Sequence, residues 1–195
     1  MVVDFFGINS KQIWPENIFI DPVFNFEFIH SSDIIALMGK RTNVLIGQDI
    51  FKFLKKKGIM TLATQSSKGP WVCTVYYGID KDMNLYIVTD PNSIHGKDMT
   101  KNNKIAFNIF DSHQKIFEPK KGLQGSGTIE KVKGIINLTK ALALWHKQNP
   151  GVEKEITIKE VIKFADTNVW KITPKYLKFF NKELYSPEEY GIWKA

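Results

Sequence analysis

Between residues 59 and 110 four β-rich runs follow one another, separated by turn signals and, once, by room for a short helix. "IMTLATQ" gives way to Ser66-Ser67-Lys68-Gly69, "WVCTVYYGI" to Asp80-Lys81-Asp82, and "NLYIVT" to Asp90-Pro91-Asn92 before "KIAFNIFD" closes the series. Gly, Pro, Asn, Asp and Ser gather at such joints because they accept the backbone angles and local hydrogen bonds of turns. Parallel neighbours would each need a crossover of a dozen residues or more, usually a helix after every strand. The chain has no room for them, so antiparallel hairpins are expected and a doubly wound parallel sheet is not.

The flanking segments fit that picture. "IGQDIFKFLKKKG" sets Ile46, Ile50, Phe51 and Leu54 on one helical face, with lysines in the last turn and Gly58 as a stop. "LQGSGTIEKV" predicts a fifth strand bent where the glycines fall. "IINLTKALALWHKQ" has helical spacing and stops before Asn149-Pro150-Gly151, and "TIKE" at 157–160 is a capping box opening a short helix through Phe164. "VWKIT-P-KYLKFF" supplies one or two more strands. Five to seven strands in hairpins, with short helices, predict a small antiparallel barrel. Residues 1–43 read as an extension packed on this core. There "FIDPVFNFEFI" alternates as a strand does, and "SSDIIALMGK" suits a helix capped by Ser32 or Asp33.

A chain of 195 residues suits one domain with an appendage. No uncharged apolar run approaches the roughly 18 residues of a membrane span. The N-terminus carries Asp4 before any basic residue and lacks a long apolar stretch, unlike a secretory signal. Cys73 is the single cysteine, which fits a reducing compartment, and a cytoplasmic protein is expected. The net charge of +7 suggests affinity for anions. Of 27 basic residues, however, only Arg41 is an arginine. Nucleic-acid readers lean on arginine for bidentate and stacking contacts, so dispersed lysine points to a solvated surface instead.

The joint "TDPNSIHGKDM" is the most suggestive local feature. If Ser93 caps a helix from Ile94 to Lys101, that helix start is a natural seat for a phosphate. His95 and Lys97 project nearby, and Thr89 adds a hydroxyl at the strand end. A capped helix with a solvated lysine and nothing bound accounts for the same residues. The remaining chemistry-bearing candidates are weaker. Cys73 sits mid-strand and reads as a small buried hydrophobe. His30, His113 and His146 lack metal-ligand spacing, so no metal site is expected. "GLQGSG" continues as a strand, unlike a dinucleotide fingerprint. Trp145 and Trp170 read as core or interface aromatics.

The succession "GIMTLATQSSKGPWVCTVYYGIDKDMNLYIVTDPNSIHGKDMTKNNKIAFNIFD…GLQGSGTIEKV" resembles the pyridoxamine 5′-phosphate oxidase-like, FMN-binding split-barrel superfamily across residues 48–180. A helix, a "G-x-x-T-L-A-T" strand, Gly69-Pro70, an "L-Y-I-x-T" strand, the serine joint and a "G-L-Q-x-x-G" strand come in that superfamily's order. The His at the joint is similar to a bacterial branch other than the vitamin B6 oxidase itself. The resemblance implies a mainly β, α+β fold: a six-stranded antiparallel split β-barrel with short flanking helices over residues 44–182, with 183–195 as a C-terminal tail. It further implies a homodimer holding two FMN molecules in clefts between subunits. Carried over by position, Cys73, Thr74 and Val75 would run along the flavin, and Val88 and Thr89 would touch it at a strand end. Ser93 would meet the phosphate. His95 stands where the superfamily has a phosphate-binding lysine, Ile94 replaces an arginine, and Lys97 would supply the missing charge. Gln124 would point at the isoalloxazine edge or ribityl chain.

The expected activity is therefore that of an FMN-dependent oxidoreductase acting on a small molecule, with no catalytic acid or base visible. Vitamin B6 oxidation is disfavoured, because "LYSPEEYGIWKA" lacks the C-terminal arginines of that activity. Two rivals stand beside it: a flavin- or haem-carrying protein without turnover, and a cofactor-free barrel that binds nucleic acid through lysines.

Overall fold

The computed structural model describes residues 41–163 and 168–195. The strand and helix expected within 1–40 lie outside the described residues. Helix α1 (Asn43–Leu54) starts where the Thr42 hydroxyl accepts from the Leu45 amide at 3.3 Å, and it buries Ile46, Ile50 and Leu54. Seven strands follow: β1 (Ile59–Ser66), β2 (Gly69–Ile79), β3 (Leu85–Thr89), β4 (Lys104–Phe110), β5 (Lys121–Lys131), β6 (Asn168–Asn181) and β7 (Tyr190–Lys194). Between them stand α2 (Ile94–Lys101), α3 (Ile135–Gln148), α4 (Ile158–Lys163) and α5 (Lys182–Tyr185).

All strand pairings are antiparallel, in the order β3-β2-β1-β4-β5-β6-β7. β6 also pairs back with β3, from Leu85↔Ile172 to Thr89↔Asn168, which closes six strands into the expected ring. Beyond residue 173 β6 keeps β5 on one side and exchanges β3 for β7 on the other, Tyr176↔Lys194 to Phe180↔Tyr190. The segment 183–195 thus contributes a strand to the sheet. The bend expected in β5 is a register shift between Ser126 and Gly127 opposite Pro174, a residue with no N–H to give to a ladder.

Alternation sends Met60, Leu62, Tyr77, Ile87, Leu123 and Ile172 into the ring, each at most 1% exposed. The Tyr77 hydroxyl donates to the Leu54 carbonyl at 2.8 Å, so this buried phenol is satisfied, and burial pushes its pKa well up. A second cluster forms outside the ring. Ala141, Leu142 and Trp145 of α3 join Val161 and Val169, with Tyr86 and Val88 packed against them. Gly78 permits this: a Cβ there would sit 2.5 Å from the backbone of Trp145, so only glycine lets α3 lie so close to β2. The capping box is formed, Glu160 accepting from the Thr157 amide at 2.8 Å and the Thr157 hydroxyl accepting from the Glu160 amide at 3.3 Å.

Candidate functional site

β2 is longer than its partner on one side. It pairs with β1 over most of its length, from Gly69 to Tyr76, but with β3 only from Tyr77 to Ile79. Alternate backbone N–H and C=O groups from Val72 to Tyr76 therefore face an edge that no described strand covers. Continued by two residues, the β2–β3 register would set Thr89 beside Val75. Cys73, Thr74 and Val75 lie on the open edge, and the joint after β3 lies past it, with α2 packed on β1 and β2.

The joint is tightly built. The Ser93 hydroxyl donates to the Asp90 carbonyl at 2.7 Å and accepts from the Gly96 amide at 3.1 Å, making Ser93 the expected cap. The Lys97 amide reaches the Ser93 carbonyl. An α-helix leaves its first N–H groups unmatched, and here the amides of Ile94 and His95 remain for an outside acceptor. His95 Nε2 lies 2.6 Å from the Thr89 hydroxyl and 3.2 Å from that of Ser93. Since the Ser93 proton goes to Asp90, Thr89 is the hydroxyl that can donate to an unprotonated Nε2. Burial pushes the His95 pKa below the usual value, with the carboxylates of Asp90 and Asp98 pulling the other way. Lys97 is exposed. Beneath the joint, Thr64 donates to the buried Asp98 carboxylate at 3.0 Å, a pair that fixes α2 on β1. Reading along the chain did not find this pair, since residues 34 apart in sequence carry no local signal.

The outward face of β2-β1-β4-β5 is ordered in rows. One row is polar: Thr74 pairs with Thr61, Thr61 with Asn108, and Asn108 with Gln124. It ends at Lys178 across β6, whose Nζ stands 4.0 Å from the Tyr190 ring centroid. The neighbouring row is small, running Val72, Ala63, Ala106, Ser126. On the other side Tyr76 pairs with Ile59 and Phe110 with Gly122. Thr61, Thr74 and Asn108 line a cleft of 370 Å³. Of the residues expected at a site, then, Thr74 and Gln124 share one row, and Thr89, Ser93 and His95 share one hydrogen-bonded group. Val75 is buried and belongs to the core. Val88 packs under the α3 cluster, which leaves only its backbone available. Cys73 is half-buried against the core, and burial pushes its thiol up to about 11, so it is no nucleophile at neutral pH. Thr61 and Asn108 were not singled out in the sequence, and only strand register reveals them.

This arrangement coincides with a family model, Pyridoxamine 5′-phosphate oxidase, which matches residues 46–181. The chain belongs to that family. Solved members of the fold are distant in sequence. Campylobacter jejuni ChuZ is 17% identical with a TM-score of 0.63, covering 87% of this chain and 69% of its own. A heme binding protein from Mycobacterium smegmatis is 16% identical at 0.61, covering 80% of this chain and 59% of its own. A NimC/NimA family protein from Clostridium acetobutylicum is 16% identical at 0.57, covering 78% and 96%. At such identities the structural likeness establishes the fold alone. No curated protein sequence matches the chain. No described helix is long and apolar enough to cross a membrane.

Proposed function

We propose that this family member binds flavin mononucleotide as a homodimer and serves as an oxidoreductase for a small molecule. The observation that carries the reading is the open edge of β2 beside the N-terminus of α2. The edge offers backbone donors and acceptors at regular spacing, as the polar rim of an isoalloxazine requires. The small row of Ala63 and Ala106 leaves space for a flat ring, and Thr74 and Gln124 bring side-chain groups to its border. Thr61 and Thr64 are three residues apart on β1, about 10 Å in a strand, a reach of the order of a ribityl chain. That distance leads from the polar row to the joint. There the Ile94 and His95 amides and the Lys97 ammonium face a doubly charged ester. Bound flavin supplies hydride and electron transfer, and the chain binds it, orients it and keeps water from one side. The uncharged sheet face gives the second protomer its seat.

Haem, which one similar protein is named for binding, would demand an axial ligand. Two described histidines bear on that. His95 at the joint has its Nε2 engaged by Thr89 and Ser93. His113, beside cleft residues Asp111 and Ser112, is exposed and meets Asp111 through Nδ1, so the spectrum has to decide. The absorption spectrum of the purified protein decides between these chromophores: two flavin bands in the near ultraviolet and blue support the proposal, and a Soret band overturns it. Bleaching by NADH or NADPH supports turnover, while a flavin that resists both points to a carrier. The double variant Ser93→Ala/Lys97→Ala should retain its fold and lose most of its flavin; undiminished occupancy would remove the phosphate from the α2 N-terminus.

A further inference from the structure

The polar row of the open face ends at a lysine held in an unusual way. Lys178 stands on β6 directly opposite Gln124 of β5 and Ile192 of β7, and shares their outward side of the sheet. Phe180 lies two residues further along β6 and pairs with Tyr190 of β7. The Lys178 Nζ is 4.7 Å from the Phe180 ring centroid and 4.0 Å from that of Tyr190. Two aromatic rings thus brace a half-buried side chain that on an open surface would sample many rotamers. The rings attract the cation, but its N–H donors still lack a lone-pair acceptor.

No described carboxylate meets this ammonium. The nearby acids are taken, Glu183 by Lys121 and Glu189 by Lys182, and none of the described ion pairs includes Lys178. The described hydrogen bonds from lysine ammonium groups come from Lys57 and Lys120. Its outward neighbours are Gly122, Gln124 and Ser126 on one flanking strand and Tyr190, Ile192 and Lys194 on the other. The only other charge in that group is a second cation. A second protomer seated on the open face brings no acid from it either. A two-fold interface sets one surface against itself, and the outward rows of β2-β1-β4-β5 contain no Asp or Glu. An ammonium beside a covered face is costly while unpaired, and an anion from outside the chain removes that cost.

We propose that Lys178 is the anion-binding residue of the cleft, and that the small molecule handled there carries a carboxylate or a similar oxyanion. The inference rests on the flavin-binding dimer proposed above. Lys178 lies one strand, about 4.8 Å, beyond Gln124 at the border of the proposed ring. It can therefore meet one end of a molecule stacked on that ring. The Gln124 amide adds a neutral donor beside the ammonium, and the two together suit a planar oxyanion.

Benzoate and benzamide, which share a shape and differ in charge, are the probes, titrated calorimetrically into the full chain as purified. Benzoate is expected to bind about tenfold more tightly. Lys178→Met keeps a stem between the rings and removes the charge. It should abolish the preference while leaving benzamide affinity, flavin absorbance and sedimentation unchanged. Lys178→Arg should retain the preference, and so should Lys104→Met, which controls for net charge at the other limit of the face. Equal affinity for the two probes in the unaltered chain overturns the proposal, as does absence of binding at millimolar concentration or a preference that survives Lys178→Met. Weaker dimerisation of Lys178→Met also overturns it, because the lysine then pairs with the partner protomer. A chain without flavin absorbance that keeps a Lys178-dependent preference refutes the flavin reading alone. A flavin-bearing chain without the preference refutes this inference alone.

Discussion

The barrel wears two outer faces, and they are finished differently. Over the end of β2 and over β3, the chain covers its own sheet. Gly78 admits the backbone of α3, and Tyr86, Val88 and Val169 meet Ala141, Leu142 and Trp145. Over β2-β1-β4-β5 nothing described covers the sheet. Ile59, Val72, Tyr76 and Phe110 stand 48–58% exposed. In a chain with 24% charged residues, the twelve outward positions of those rows would carry about three charges by composition, and they carry none. Lys104 and Lys178 mark the limits of the patch. A solvated antiparallel sheet ordinarily turns polar and charged residues outward. A charge-free face of this size, polar along one Thr–Asn–Gln row and apolar or small beside it, is instead the composition of an interface core. The same sheet therefore solves one burial problem within the chain and leaves the other to a second protomer and a flat ligand.

The sharpest way to break the covered face is Gly78→Ala. The new methyl meets main-chain atoms of Trp145, which cannot rotate away, so α3 must lift. A loss of about 3 kcal/mol is expected in denaturant titration, and a change below about 0.5 kcal/mol would mean that close helix approach contributes little. Ala63→Glu probes the bare face. A carboxylate in the middle of that patch costs a monomer almost nothing, because it can reach water. In a dimer it is buried without a partner, and association should weaken on the order of 30-fold, about 2 kcal/mol. Sedimentation measures this directly, and an unchanged association constant would take the interface elsewhere.

The contrast also explains what could be read without coordinates. Strands β1 to β4 were legible because Gly, Pro, Asn and Asp punctuate them at hairpin spacing. The β5 irregularity was legible from Gly125 and Gly127, and the α2 cap from Ser93. The covered face was half legible: the spacing of Ala141, Leu142 and Trp145 showed a helix with an apolar side, but nothing local said that Gly78 would receive it. The polar row escaped because Thr74, Thr61, Asn108 and Gln124 come from four strands, and only register aligns them. β7 was masked by its surroundings: "YGIWK" alternates, but it follows Ser186-Pro187-Glu188-Glu189, which reads as a loop. Long-range partnership is what a linear pattern lacks. For that reason the Thr64–Asp98 pair emerged only in three dimensions.

The smallest effect concerns the joint between the two faces. An unfolded histidine titrates near about 6.5, and in the fold His95 is held lower, first by burial, against the pull of Asp90 and Asp98. The unfolded chain therefore takes up this proton more readily than the folded one. The contribution of His95 to stability is full above the unfolded value and is lost as pH falls below it toward the folded value. The ring is only half-buried, so solvent screens the effect and a shallow slope is expected. His95→Gln should flatten that slope between neutral and mildly acid pH. Phosphate should act in the same direction on the wild-type protein, since an anion on the Ile94 and His95 amides favours the imidazolium and raises the folded pKa. If phosphate leaves the slope unchanged while His95→Gln removes it, the histidine titrates as described but the helix start holds no anion. The open edge of β2 would then have to seat its ligand without the joint.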